Sequence, residues 1–359
     1  MASQLDPQAK QALIGSYTAG ALISAMMAVG VRLGLYETMR DLEPMTSDDL
    51  AERTGLHERW LREWLQGQAA AKVLEYSGDN RFWLSPESAA LLADRESLRS
   101  MEGMIESLPD RLALVPRVEE AFRTGQGFSV DDRGESAARG IEGLLANWHR
   151  TVLIPTAIPA LPIAEARLRS GALGADVGCG SGVAILELAQ AFPQSQFHGY
   201  DVSQQMLTAA ARNRDLAGVG NVEFHDVRSE PLPDDHRFDF VMTFDCLHDM
   251  AFPQRTAEGI HAAIQPDGVW FISDIDARPS FEENLRELPG AASMYSISIL
   301  ACMASSLSEP GAVGYGTLGM PEVRLRSIVE EAGFTRFRRI DSSSPEFAAG
   351  SNAFYEVRP

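Results

Sequence analysis

The stretch VMTFDCLHDM, Val241 to Met250, sets His248 between Asp245 and Asp249, just past an apolar run that reads as a buried strand. A neutral imidazole held about 3 Å from a hydroxyl takes its proton, so His248 is a candidate general base. A second stretch able to do chemistry is GADVGCGSGVAILELAQAF. It ends a strand at Val177, turns through Gly178-Cys179-Gly180-Ser181-Gly182, and opens an apolar-periodic helix at Val183. Glycines let backbone approach a ligand closely, and the start of a helix offers free N–H groups. The spacing is G-x-G-x-G rather than the G-x-G-x-x-G of dinucleotide binders. Asp176, two residues before the first glycine, would also repel a pyrophosphate.

Asp176 suits an ammonium group instead. The next expected strand, QFHGYDVS, ends at Asp201, where a carboxylate can accept both hydroxyls of a ribose. The third, VEFHDV, ends at Asp226, placed to accept from an adenine amino group. An amine, a ribose and an adenine without phosphates describe S-adenosylmethionine. Capping of the following helices explains Asp201 or Asp226 singly, but explains the set of three acids less well.

These residues need a parallel sheet to bring them to one edge. Beyond Leu168, short apolar runs alternate with helical segments. Strands are predicted near Gly174–Val177, Gln196–Tyr200, Val222–Asp226, Phe238–Thr243, Val269–Ser273, Arg336–Asp341 and Ala353–Arg358. The first hundred residues read differently. Thr46 or Ser47 caps a short helix, and a second runs from His57 through Ala71 with Trp60, Leu61, Trp64, Leu65 and Gln68 at helical spacing, so both tryptophans are expected in a core. VLEYSGDNRFWLS then reads as a hairpin about Ser77-Gly78-Asp79-Asn80, completing a winged helix. The resulting expectation is an α/β fold, with residues 1–97 a winged-helix dimerisation domain, 98–164 a helical connector and 165–359 the ligand-binding domain.

Composition narrows the function. The chain has 359 residues, 45% hydrophobic and 23% charged, with a formal charge of −19. That charge opposes a nucleic-acid surface, and the would-be recognition helix balances Glu58 and Glu63 against Arg59 and Arg62. Cys179, Cys246 and Cys302 form no framework and point to a reducing compartment. No metal site is expected from the spacing of His, Asp and Glu. Ala12 to Val31 carries no charge over a membrane-like length, but Gly15, Ser16, Tyr17, Thr18, Gly20 and Ser24 dilute it. The segment is read as a helix buried between subunits or domains, and the protein as cytoplasmic and not membrane-bound.

ADVGCGSG, GYDVS, FHDV, FDFVMTFDCLHDM and IQPDGVWFISD together resemble the class I S-adenosylmethionine-dependent methyltransferases, over about residues 165 to 359. With its winged helix the whole chain resembles the small-molecule methyltransferases that dimerise through that domain, many of them O-methyltransferases of secondary metabolism. The resemblance implies a seven-stranded Rossmann-like domain and cofactor contacts from Asp176, Gly178, Cys179, Gly180, Asp201, Val202, Asp226, Val227, Phe244 and Asp245. Relatives carry Leu-His-Asp-Trp with a histidine base. Here the segment is Leu247-His248-Asp249-Met250, so His248 inherits that role, with Met250 in place of Trp. His149, Met294, Ile299 and Met303, with Tyr17 from the apolar N-terminal helix, are expected to line the pocket of a small aromatic or hydrophobic acceptor. Methylation at a hydroxyl is the leading expectation. Carbon or nitrogen methylation with His248 only positioning the acceptor, and a DNA-binding regulator that senses a small ligand, are the alternatives.

Overall fold

The computed structural model describes residues 5–134, 146–347 and 350–359. Residues 135–145 of the expected connector lie outside the described residues. The described chain falls into two compact units, one ending at Asp110 and the other beginning at Arg111.

In the first unit, Asp6 caps a 26-residue helix, Pro7–Arg32, by accepting from the Ala9 amide. Thr46 caps the helix Ser47–Thr54 through a reciprocal pair with Asp49, and His57 caps Glu58–Ala70. The wing is an antiparallel pair, β1 (Glu75–Gly78) and β2 (Arg81–Trp83). Leu61, Trp64, Leu65 and Gln68 are buried, and the Tyr36 hydroxyl donates to Gln68 Oε1 at 2.7 Å. Trp60 corrects the expectation from helical spacing: it is 79% exposed. The i, i+3, i+4, i+7 face begins at Leu61, so a residue one position earlier is rotated off it by about 100°. The long N-terminal helix buries only Ala28, Gly30 and Val31. At Gly30 a Cβ would lie 2.5 Å from the Trp64 ring, so only glycine permits that approach.

The second unit is built on a seven-stranded sheet. Its strands are β3 (Leu173–Val177), β4 (Gln196–Asp201), β5 (Val222–Asp226), β6 (Phe238–Phe244), β7 (Ile264–Ile275), β8 (Arg336–Arg339) and β9 (Asn352–Arg358). The order is β5-β4-β3-β6-β7-β9-β8, parallel except for β9, which runs against both its neighbours. Side-chain alternation along β6 divides two cores. Phe240, Met242 and Phe244 face Leu153, Ile185 and Leu188 on one side. Val241 joins Trp270, Ile272, Ile260 and Val329 on the other. Both faces are covered by apolar packing, which is why these strands read as continuous hydrophobic runs.

Candidate active site

The loop after β3 is shaped by its glycines. Gly178, Gly180 and Gly182 all have positive φ, at 84°, 53° and 80°. The amides of Gly178 and Cys179 both donate to the Tyr200 carbonyl, at 2.8 and 3.1 Å. A Cβ at Gly178 would meet Cys246 Sγ at 2.7 Å, and one at Gly182 the Phe224 ring at 2.9 Å. Above Gly180 nothing lies within 4 Å. The loop is therefore tight at both ends and open in the middle, where a ligand's backbone can lie.

Asp176 is 2% exposed, and its carboxyl group has no hydrogen bond or ion pair among the described residues. Burial, and then the nearby Asp201, push its pKa well up. A buried acid without a protein partner is matched by a cationic ligand. Asp201 is already engaged, accepting from the Gly180 amide and the Ser203 amide, both at 2.8 Å. It ties the glycine loop to the start of the next helix and retains lone pairs for a ribose. Val202 is exposed beside it, and the Val227 amide donates to the Asp201 carbonyl at 3.1 Å.

Asp226 differs from the expectation of a free acceptor. Its carboxylate takes the amide, Nε and Nη2 of Arg228 and the Nε2 of Gln204. Four donors fill the lone pairs of one carboxylate, and the Arg228 guanidinium holds its pKa down at about 2. An adenine amine reaches it only if Gln204 or Arg228 moves. Asp131, which no sequence signal singled out, caps the helix Gln204–Ala217 by accepting from the Ser203 hydroxyl and the Gln204 amide.

At the end of β6, His248 is 3% exposed and its Nδ1 lies 2.6 Å from Oδ1 of Asp274, itself 1% exposed. The helix that begins at Cys302 packs on the turn that holds His248. Burial opposes protonation, but the Asp274 carboxylate and Cys302 outweigh it and hold the imidazole well above its ordinary pKa. Burial pushes Asp249 up to about 6 against the pull of His248 and Arg133. Burial and then Asp274 push Asp245 up to about 7. Asp245 also has positive φ, and Asn352 donates to its Oδ1 at 2.7 Å.

Of the expected acceptor residues, Met294, Ile299 and Met303 are half-buried on the helices Ala291–Leu300 and Cys302–Ser306, the second of which packs on the turn holding His248. His149 is a core residue: it is buried, stacks on Phe244 at 5.2 Å between ring centres, and burial pushes its pKa down to about 3. Phe244 belongs to the same aromatic cluster, which includes Trp148. Tyr17 belongs to the other unit and is exposed. A groove of about 780 Å³ is lined by Phe252, Arg255, Glu258, Tyr315, Arg324 and Ile328. It contains none of the site residues, so size alone does not mark the chemistry.

No metal site was expected from residue spacing, yet His198, Glu223 and His225 meet across β4 and β5. His198 Nδ1 lies 2.9 Å from His225 Nε2, and His225 Nδ1 lies 2.6 Å from Glu230, so the imidazoles are satisfied without an ion.

Residues 170–318 match the family model described as a methyltransferase domain, and residues 21–94 the one described as an Rv2258c-like winged HTH domain. The chain is an S-adenosylmethionine-dependent methyltransferase. It is 28% identical over 288 residues to the tetracenomycin polyketide synthesis 8-O-methyl transferase of Streptomyces glaucescens, covering 74% of this chain and 77% of that one. The methyltransferase shares its fold with the mitomycin 7-O-methyltransferase MmcR, with a TM-score of 0.68, 21% identity and 98% of each chain covered. Human N-acetylserotonin methyltransferase in complex with SAM gives the same TM-score at 16% identity, over 100% of this chain and 99% of that one. The unpartnered Asp176 and the open face of Gly180 fit that cofactor in this methyltransferase.

Proposed function

We propose that the methyltransferase methylates a hydroxyl on a small aromatic or hydrophobic molecule, with His248 as general base. The observation that carries this is the buried His248–Asp274 pair. A carboxylate on Nδ1 fixes the imidazole so that Nε2 is the nitrogen left to receive a proton, and it steadies the imidazolium that forms. The 8-O- and 7-O-methyl transfers in the names of the relatives support oxygen as the acceptor atom.

The cofactor supplies a methyl group on a sulfonium, which leaves readily. The protein's own work is alignment and proton removal. Asp176 receives the ammonium, the glycine loop accommodates the cofactor at Gly180, and Asp201 accepts from the ribose. His248 takes the acceptor's proton. Met294, Ile299 and Met303 form an apolar wall near the base.

A pH–rate profile with purified enzyme and an accepted phenol tests the base. His248→Ala should lower kcat by about 10²- to 10⁴-fold while leaving the affinity for S-adenosylhomocysteine in place. A loss of only a few-fold favours the reading in which His248 positions the acceptor for carbon or nitrogen methylation.

The enzyme is further proposed to be a cytoplasmic homodimer joined through helix Pro7–Arg32. By length and composition this helix also suffices to cross a membrane, and only a small share of it is buried within one chain. A second copy is the simplest cover for Ile14, Tyr17, Leu22 and Met26.

A further inference from the structure

Two arginines, Arg111 and Arg133, are buried in the second unit, and among the described residues one carboxylate, Asp249, is set against them. Arg133 is 6% exposed; its Nη2 donates to the Ala301 carbonyl at 2.7 Å, and its Nε has no hydrogen-bond partner. Arg111 is 8% exposed and has no side-chain hydrogen bond or ion pair among the described residues. The segment between them is clamped along the helix that carries Cys302. Gly127 and Phe128 donate their amides to the carbonyls of Leu307 and Ala304, each at 2.9 Å, and Leu114 and Phe128 pack on Ala304. That helix packs on the turn holding His248, and Arg133 is bound to the residue just before it, Ala301.

A guanidinium removed from water costs several kcal/mol unless a counter-charge and hydrogen bonds replace the solvent. Burial weakens proton binding at both arginines, and each lies within electrostatic reach of the other. Asp249 is the one carboxylate acting on Arg133, and it is shared with His248. Among the described residues two neighbouring cations thus share one carboxylate, and an anion supplied from outside would balance the second.

We propose that Arg111 and Arg133 are an anion-recognition pair for the methyl acceptor, which therefore carries a carboxylate or a similar planar oxyanion besides the hydroxyl that is methylated. This rests on the hydroxyl-methylation reading above. The guanidinium fork matches a carboxylate with two parallel hydrogen bonds, a geometry that lysine does not offer. The cofactor's own methionine carboxylate is the other source of such a group. The carboxylate that acts on Arg133, Asp249, belongs to the turn that holds His248.

The test uses benzoate as the probe on the full-length protein saturated with S-adenosylhomocysteine, at constant ionic strength against chloride. Benzoate at about five times its Kd should raise Tm by about 1–2 °C in the wild type. The rise should vanish in Arg133→Met and in Arg111→Met. Those variants should bind S-adenosylhomocysteine within about threefold of the wild type and should melt no lower than it, because each removes an unpaired buried cation. No benzoate shift in the wild type, an equal shift in the variants, or variants that melt lower would overturn the proposal. Benzoate displaced by S-adenosylhomocysteine would also overturn it, by assigning the pair to the cofactor. None of these readouts depends on His248, so failure of the base assignment is seen separately through His248→Ala.

Discussion

His248 Nδ1 and Asp274 Oδ1 are 2.6 Å apart although 26 positions separate the residues in sequence, and both side chains are almost fully enclosed. The pairing follows from register: Phe244 of β6 stands opposite Ser273 of β7, so the residues leaving the two strands emerge together.

That pair sets the pH dependence of turnover. Because His248 is held above its ordinary pKa and must be neutral to accept a proton, kcat should rise with pH through an inflection above about 6.5. Asp274→Asn removes the charge that favours the imidazolium, so the inflection should move to lower pH. It should also lower kcat by about 10- to 100-fold through lost orientation, with unchanged binding of S-adenosylhomocysteine. An unmoved inflection would show that the rate reports another group.

Asp201 has two duties, one to the fold and one to the cofactor. Asp201→Ala should weaken S-adenosylhomocysteine binding by about ten- to a hundred-fold, the worth of a charge-assisted hydrogen bond. It should also lower Tm, because the Gly180 and Ser203 amides lose their acceptor. Asp201→Asn keeps one acceptor oxygen, so it should recover part of the stability and less of the affinity. Calorimetry and thermal melting on the same samples separate the effects, and full affinity in the alanine variant would remove Asp201 from the cofactor site.

Asp245 should make stability fall as pH rises. Its folded pKa of about 7 lies above the unfolded value of about 3.9, so between them the native state holds more protons than the unfolded chain. Its contribution is therefore present at low pH and lost toward about 7. Asp245→Asn should show a flatter decline of Tm between about pH 4 and pH 7 than the wild type. Parallel curves for the two proteins would contradict the assignment.

Leu22 is 67% exposed on the long apolar helix. Leu22→Asp should convert a dimer into monomer or insoluble protein, read by sedimentation at micromolar concentration. A wild type that sediments as a soluble 39.1 kDa monomer excludes the dimer, and recovery only with membranes points to insertion instead.

Most strands of the second unit were legible as short apolar runs bounded by turns and helical periodicity; β8 is not apolar, and β7 begins at Ile264, five residues before the predicted Val269. The glycine loop and the acids at the ends of β3 and β4 were legible for the same reason. What escaped were partnerships fixed by the sheet and by packing. Asp274 stood in plain view within FISD, yet its contact with His248 depends on how β6 and β7 align. Asp226 looked free because nothing in sequence shows that Gln204 and Arg228 fill its lone pairs. Trp60 and Trp64 share a helix and a residue type, and one turn angle decides which of them meets the core. Arg111 and Arg133 carry no motif at all; only their burial sets them apart.

The placement of β9 bears on the timing of synthesis. This strand lies between β7 and β8, and its first residue, Asn352, reaches back to Asp245 and Ser273. A ribosome that has finished the glycine loop, His248 and Asp274 has still not produced the group that steadies Asp245. Until residue 352 emerges, β7 presents an open edge and an incomplete set of donors, so the nascent chain must wait with its reaction centre unfinished. A stall just before that point should leave a chain that holds the methyl donor poorly and exposes a sticky strand, a natural substrate for chaperones.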